Sequence, residues 1–265
     1  MKKITSADNP RLKAAVRLKT SRGRKTQQRI IIFGLRELQH ALASGIEPLE
    51  VFLSSEILAA DEIEELLQAT GANTQFLDLP TALMSKLQYG ERQDGVVAIA
   101  QRPELKLDRL QVPNNGLVVI LEAIEKPGNI GAVIRSMDGA GADALVLADP
   151  QCDVLHPNCI RASLGAAFRI PIATGSTEQV INWCRQQELE MFATSDAAST
   201  SYTDADLTGK IAIALGNESH GLSAAWNLDD VRHLAIPMSG ISDSLNISVA
   251  AGVILFEARR QRSAR

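Results

Sequence analysis

Three glycine- and polar-rich segments hold most of the residues in this chain that could do chemistry. The first, GNIGAVIRSMDGAG, runs from Gly128 to Gly141. Gly131, Arg135 and Asp138 are spaced i,i+4 and i,i+3, so they share a helical face, with Val133, Ile134 and Met137 opposite. Arg135 then projects at a site rim, unless it pairs with Asp138 on the surface. Asn129 is placed to cap that helix. The second segment, ALGNESHGLS, Ala214 to Ser223, turns through Gly216 and Gly221. A glycine pair there lets a ligand lie against the main chain. Glu218 stands at its tip, either as a site carboxylate or as a partner for the N–H groups of the next helix. The third segment, IPMSGISDSLNISVAAG, Ile236 to Gly252, enters the final helix, which Ser244 or Asn246 could cap. Capping needs one polar residue, yet Ser239, Ser242, Asp243, Ser244 and Asn246 are all present. The surplus points to a site.

Other chemistries fail on pattern. Gly139 and Gly141 form a G-x-G, but at the end of a helix, so the dinucleotide fingerprint lacks its context. No G-x-x-x-x-G-K-[ST] and no G-x-S-x-G occurs. Ser219 and His220 are adjacent, which rarely lets a nucleophile meet its base. Three cysteines without C-x-x-C spacing and four histidines give no recognisable metal set. Cys152, Cys159 and Cys184 read as buried or semi-buried free thiols.

The elements that must position these segments alternate along the chain. LVVILE (117–122), ALVLA (144–148), MFATS (191–195), IAIAL (211–215) and HLAIP (233–237) are continuous apolar runs, as expected of parallel strands buried on both faces. Helices are expected over 130–139, 158–168 and 176–188, with a short one after Gly221 and a last one over 246–261. All three polar segments then leave strand ends, where α/β sheets place their sites. The last helix has almost no polar face, which predicts burial on all sides and contact with a second copy of the chain. Upstream, RIIIF (29–33), LEVFLS (49–54), TQFLDL (74–79) and GVVAIAQ (95–101) alternate with helices over 35–44, 57–69 and 80–87. The expected organisation is a basic N-terminal arm (1–27) that contains a helix over 10–25, an α/β domain (28–101), a linker (102–116) and a second α/β domain (117–265).

Charge is unevenly distributed. Residues 1–30 hold ten Lys or Arg against one acid, Asp8, within a chain of net charge −4. A second cluster, Arg259, Arg260, Arg262 and Arg265, ends the chain. Such blocks bind polyanions by releasing counterions. The start, MKKITSADNPRLK, has no apolar core behind it, and no run of about 18 apolar residues exists anywhere. The expectation is a cytoplasmic protein with no membrane segment.

Taken together, N-I-G-A-V-I-R, G-N-E-x-x-G-L and I-P-M-x-G-x-x-x-S-L-N-I-S-V-A-A-G, in that order, resemble the three signature motifs of the SpoU (TrmH-type) family of SPOUT RNA methyltransferases. The resemblance spans roughly residues 117–258, and the N-P-R-L-K start and first α/β unit resemble the family's ribosomal-protein-like substrate-binding domain. Where the family usually carries Glu before the Gly of the first strand-helix turn, Phe33 precedes Gly34 here. The resemblance implies a C-terminal domain with a deep trefoil knot, a homodimer through that domain, and no metal. It implies S-adenosylmethionine as cofactor and transfer of its methyl group to a ribose 2′-hydroxyl, with large-subunit (23S) rRNA the first choice and tRNA the second. A catalytically inactive RNA-binding or assembly protein on the same fold is the other alternative. It implies catalytic roles for Arg135, Asn129, Glu218, Ser244 and Asn246. It implies cofactor binding by Thr194, Leu215, Gly216, Asn217, Ile236, Met238, Ser244, Leu245 and Asn246, much of it through main chain. An arginine stays protonated, so Arg135 suits a phosphate clamp that stabilises alkoxide charge better than a general base.

Overall fold

The computed structural model describes residues 1–91 and 93–264, which form two units. Residues 1–103 and 155–169 make the first, and 104–154 with 170–265 the second.

In the first unit, β1 (Lys2–Lys3), β2 (Arg29–Phe33), β3 (Pro48–Leu53), β4 (Gln75–Asp78) and β5 (Val96–Gln101) form a mixed sheet in the order β1-β4-β3-β5-β2. Helices α1 (Pro10–Arg17), α2 (Ser21–Gln27), α3 (Leu35–Ala43), α4 (Ala60–Ala69) and α5 (Thr81–Leu87) accompany it. The basic leader is built into this unit: β1 pairs with β4, and Leu12, Ala15 and Leu18 join a core with Phe52, Met84 and Ile99. The single helix expected over 10–25 is two, because Thr20 leaves the helical conformation to cap α2. Several basic side chains serve the fold: the buried Arg24 donates to the carbonyls of Leu18 and Lys19, and Lys19 to those of Lys86 and Gln88. Lys3, Arg17, Arg22, Lys25 and Arg29 pair with no acid among the described residues.

The second unit is a six-stranded, wholly parallel sheet: β6 (Leu117–Glu122), β7 (Ala144–Ala148), β8 (Ile172–Gly175), β9 (Glu190–Thr194), β10 (Ile211–Leu215) and β11 (Val231–Leu234). Their order is β11-β9-β10-β6-β7-β8. Every residue of β6, β7 and β10 is buried, as the unbroken apolar runs required. Helix α8 (Thr177–Gln186) packs Val180, Trp183 and Cys184 into a core with Val118, Val146 and Ala212. Helices α6 (Pro127–Ala140) and α9 (Ile247–Ser263) pack on each other, with Gly252 beside Ser136 and Gly139 beside the Phe256 ring. Burial of α9 is not complete in the single chain: Ile247, Ala251, Ile254, Leu255 and Ala258 are inside, while Val249 and Phe256 are each 50% exposed.

The helix expected over 158–168 stops early. It is α7 (Pro157–Ala162) and then a 3-10 turn at 166–168, because Leu164 and Gly165 take left-handed conformations between them. Within the first unit Arg161 of α7 lies 5.6 Å from the centre of the Tyr89 ring and 3.2 Å from the buried Asp94 carboxylate.

None of the three cysteines forms a disulfide; Cys159 and Cys184 are buried. Burial pushes the Cys184 thiol up to about 12, and burial with the charge of Asp153 pushes Cys152 up to about 11. Among the described residues no helix is long and apolar enough to cross a membrane, and no cluster of His, Cys, Asp and Glu could hold a metal ion.

Of the C-terminal arginines, Arg259, Arg260 and Arg262 are engaged within the fold, and Arg265 lies outside the described residues. Arg259 donates to Gly139 O, and Arg260 forms a double contact with Glu257. Arg262 donates to Leu207 O at 3.0 Å, to Gly209 O at 2.6 Å and to Asn115 O. Burial lowers the Arg262 guanidinium below its ordinary value, opposed by the charge of Asp143. Arg262→Ala removes the donor from three carbonyls and is expected to cost about 2 kcal/mol. Thermal denaturation should show a lower Tm with RNA affinity unchanged; an unchanged Tm with weakened RNA binding would restore the polyanion reading of this cluster.

Candidate functional site

Parallel strands point all their carboxyl ends one way, so the segments that follow β6, β9, β10 and β11 meet at one edge of the second sheet. A cavity of about 560 Å³ opens there. The end of β9, the segment after β10 and the segment after β11 wall it. That volume lies within the range of small-molecule sites.

The loop after β10 is a closed ring. Asn217 and Gly221 exchange backbone hydrogen bonds of 3.1 and 2.8 Å, with Gly221 left-handed at φ +67°. Gly216 lies so close to the returning strand that a Cβ there would stand 2.1 Å from the Gly221 carbonyl carbon. The Asn217 side chain is buried and bonds both ways. Its Oδ1 accepts from Ser219 N at 2.8 Å, and its Nδ2 donates to Ala123 O at 3.0 Å, just beyond β6. Ala123 is itself left-handed, at φ +54°, an uncommon conformation for a residue with a Cβ.

Helix α6 starts one short turn later. Lys126 is its N-cap residue and Pro127 its first residue, so Asn129 sits inside the first turn and does not cap it. The Asn129 Nδ2 donates instead to Glu218 Oε1 at the tip of the second loop. Glu218 therefore serves neither as a partner of a following helix nor as a free tip. Its carboxylate also faces the first turn of α6, where a negative charge is favoured.

Of the residues read from the sequence as donor-binding, Thr194, Leu215, Gly216, Asn217, Ile236, Met238, Ser244 and Leu245 all line the cavity. The Thr194 hydroxyl is held by Ala214 O at 3.1 Å. Asn246 does not line it; it caps α9, its Oδ1 accepting from Ser248 N at 3.0 Å and Ser248 Oγ at 2.6 Å. Ser244 is exposed on the wall with no hydrogen bond to the described residues. Arg135 is exposed on α6, outside the cavity lining, and pairs with no described residue, Asp138 included. In the single chain the expected five polar residues thus split into Glu218 and Ser244 at the cavity, Asn129 bonded to Glu218, Asn246 as a helix cap, and a free guanidinium on α6.

Two residues escaped the sequence reading. Trp226 is fully buried on the cavity wall, and its indole Nε1 finds no hydrogen-bond partner among the described residues. Glu122, the last residue of β6, is a buried carboxylate that accepts from Ser223 N at 2.7 Å, Ser223 Oγ at 2.8 Å and Thr177 Oγ1 at 2.7 Å. A lone carboxylate closing the run LVVILE was the available signal, since a charge on a doubly buried strand must find partners.

The SpoU rRNA Methylase family matches residues 116–256, and the MRM3-like substrate binding domain matches residues 9–98. The chain is 31% identical to the 23S rRNA (uridine(2479)-2′-O)-methyltransferase of Streptomyces viridochromogenes, over 98% of this chain and 93% of that one. It is 27% identical to the 23S rRNA (guanosine(2553)-2′-O)-methyltransferase RlmP of Bacillus subtilis strain 168, over 98% of this chain and 100% of that one. The crystal structure of the AdoMet-bound rRNA methyltransferase from Sinorhizobium meliloti superposes with a TM-score of 0.90 at 29% identity, covering 98% of this chain and 97% of that one.

Gly216→Ala should break the ring of the second loop, because overpacking against main chain costs at least about 1–3 kcal/mol. Hydrogen exchange at the amides of Asn217 and Gly221, both bonded in the ring, should accelerate while β6 and β10 keep their protection. Unchanged protection at those two amides would mean that the loop tolerates a Cβ.

Proposed function

The chain belongs to the SpoU rRNA methylase family, and from that premise we propose that it transfers a methyl group from S-adenosylmethionine to a ribose 2′-hydroxyl of large-subunit (23S) ribosomal RNA. The observation that carries this reading is the cavity at the carboxyl ends of β9, β10 and β11, lined by the second and third polar segments and tied to α6 through Asn129 and Glu218. The curated relatives named above act on a uridine and on a guanosine, both at the ribose. Their common element is the sugar hydroxyl, and the identity of the base is left to the substrate-binding unit.

The site suits the donor. The cavity has the volume for a small molecule and is lined by Leu215, Gly216, Ile236, Met238 and Leu245, with the buried Trp226 behind its wall. Asn217 keeps the second loop in its ring, and Thr194 closes the neighbouring strand end. When bound, S-adenosylmethionine supplies a methyl carbon made electrophilic by a positively charged sulfur. What remains for the protein is placement of the nucleophile, which dominates such a displacement. Arg135 is the group for it. Its guanidinium grips the RNA phosphate next to the target ribose and stabilises negative charge as it grows on the 2′-oxygen. Ser244 binds the same phosphate from the third loop, and Asn246 fixes that loop's entry into α9. Asn129 holds Glu218, and with it the second loop, against α6.

Arg135 is exposed and outside the cavity lining in the single chain, and Val249 and Phe256, seven residues apart, expose one apolar face of α9. Both observations support a homodimer through the second unit, with the site at its border. The unpaired Lys3, Arg17, Arg22, Lys25 and Arg29 of the first unit support docking of RNA there; such contacts give affinity, and single-stranded loops give specificity. A cytoplasmic location belongs to the same proposal, supported by ribosomal RNA as substrate and by three cysteines that form no disulfide.

Arg135→Ala is expected to lower methyl transfer from tritiated donor to unmodified 23S rRNA by about a hundredfold or more, with donor affinity by titration calorimetry unchanged. A tRNA transcript serves as the second acceptor. Full-rate transfer by Arg135→Ala would overturn the role of Arg135, and transfer to the tRNA alone would overturn the choice of RNA.

A further inference from the structure

Glu122 stands outside the machinery just described, and among the described residues it is the one carboxylate that ends a fully buried strand. Its neutral donors are the Ser223 N–H and hydroxyl, while the Thr177 hydroxyl, 2.7 Å from Glu122 Oε1 and 2.8 Å from Asp149 Oδ2, is shared between two carboxylates. Thr177 is the first residue of α8, and its N–H also donates to Asp149 Oδ2 at 2.9 Å. A buried charge with neutral partners is costly, and each donor removed makes it costlier. Ser223 meets that charge with both of its donors, so the end of the second loop is bound to the end of β6 about as firmly as neutral donors allow.

The consequence reaches the cavity. Ser223 opens the 3-10 turn at 224–226, with Trp226 N donating to Ser223 O at 3.2 Å. The turn delivers the Trp226 indole to the cavity wall, fully buried. At the other end of the same loop, Asn217 is bonded to Ala123, the next residue after Glu122. Two adjacent residues at the end of β6 thus hold both ends of the segment 216–223, and α6, with Arg135, departs from the same point.

We propose that Glu122 is a positioning residue for the methyl donor: through Ser223 it sets the second loop and the Trp226 indole on the cavity wall, and donor affinity depends on it although it does not line the cavity. The proposal rests on the reading of the cavity as the S-adenosylmethionine site. Glu122→Gln keeps the size of the side chain and removes its charge. It should weaken S-adenosylmethionine binding by about tenfold or more, the effect of losing charge-assisted bonds. Ser223→Ala should do the same, Ser223→Thr should retain affinity, and the double variant Glu122→Gln/Ser223→Ala should lose little more than either single one.

The test is titration calorimetry of the full-length chain with S-adenosylmethionine. Alongside it run intrinsic fluorescence of Trp226 in a Trp183→Phe background, KM for each substrate, and Tm. The expected pattern is a raised KM for donor, an unchanged KM for RNA, a kcat preserved at saturating donor, and a Trp226 emission change on donor binding that the variants require more donor to reach. A merely structural Glu122 would lower Tm and leave the donor KM and calorimetric affinity of the folded protein alone; that result overturns the proposal, as does donor affinity lost independently at Glu122 and Ser223. Should Glu122→Gln fail to fold, the Ser223→Ala and Ser223→Thr pair decides alone. Wild-type protein that takes up no donor overturns the functional reading along with the proposal, whereas wild-type uptake that the variants leave unchanged overturns the proposal only.

Discussion

The contact between Asn129 and Glu218 joins two segments 89 residues apart in sequence, and the rest of the site is arranged around it. One partner sits in the first turn of α6 and the other at the tip of the loop after β10. β6 and β10 are neighbours in register from Leu117 and Ile211 to Leu121 and Leu215, so the segments leaving them are bound to be close; the side-chain bond decides how close. The loop after β10 forms a wall of the cavity, and α6 carries the only arginine in the three polar segments. The cavity and the exposed guanidinium of Arg135 are thereby referred to one point at the end of β6.

That point is crowded for a physical reason. Glu122 buries a charge there, Ala123 takes a left-handed conformation, and the Asn217 amide, the Ser223 hydroxyl and the Thr177 hydroxyl all turn toward them. A loop with its backbone open to water would sample many shapes; one fixed at both ends and ringed through Asn217 and Gly221 samples few. Preorganisation of this kind matters most for a reaction whose chief demand on the protein is geometry.

Much of this was legible in the amino acids. Runs such as LVVILE and IAIAL have no polar face, which only a doubly covered parallel strand accommodates, and the polar surplus after HLAIP was more than a helix cap requires. What was not legible depended on partners distant in sequence. Asn129 looks like a cap by type, but Pro127 fills the first helical position and frees the amide for Glu218. Leu164 breaks a pattern that reads as one helix, because tertiary packing places it in a conformation no local propensity favours. The short strand β8 ends in Gly175 and offers too few residues for a period to show. Arg24, Lys19 and Arg262 look like polyanion ligands in a basic block, yet they cap carbonyls within the fold. Composition records charge, and only the fold records which charges are already engaged.

The coupling of the two segments is tested most directly by a double-mutant cycle on Asn129 and Glu218, with each single alanine variant and the pair assayed for S-adenosylmethionine affinity and for methyl transfer to rRNA. The account predicts strong non-additivity, with the double variant scarcely worse than either single one and an interaction energy of about 1 kcal/mol or more. Losses that simply add, as for residues that never meet, would contradict it.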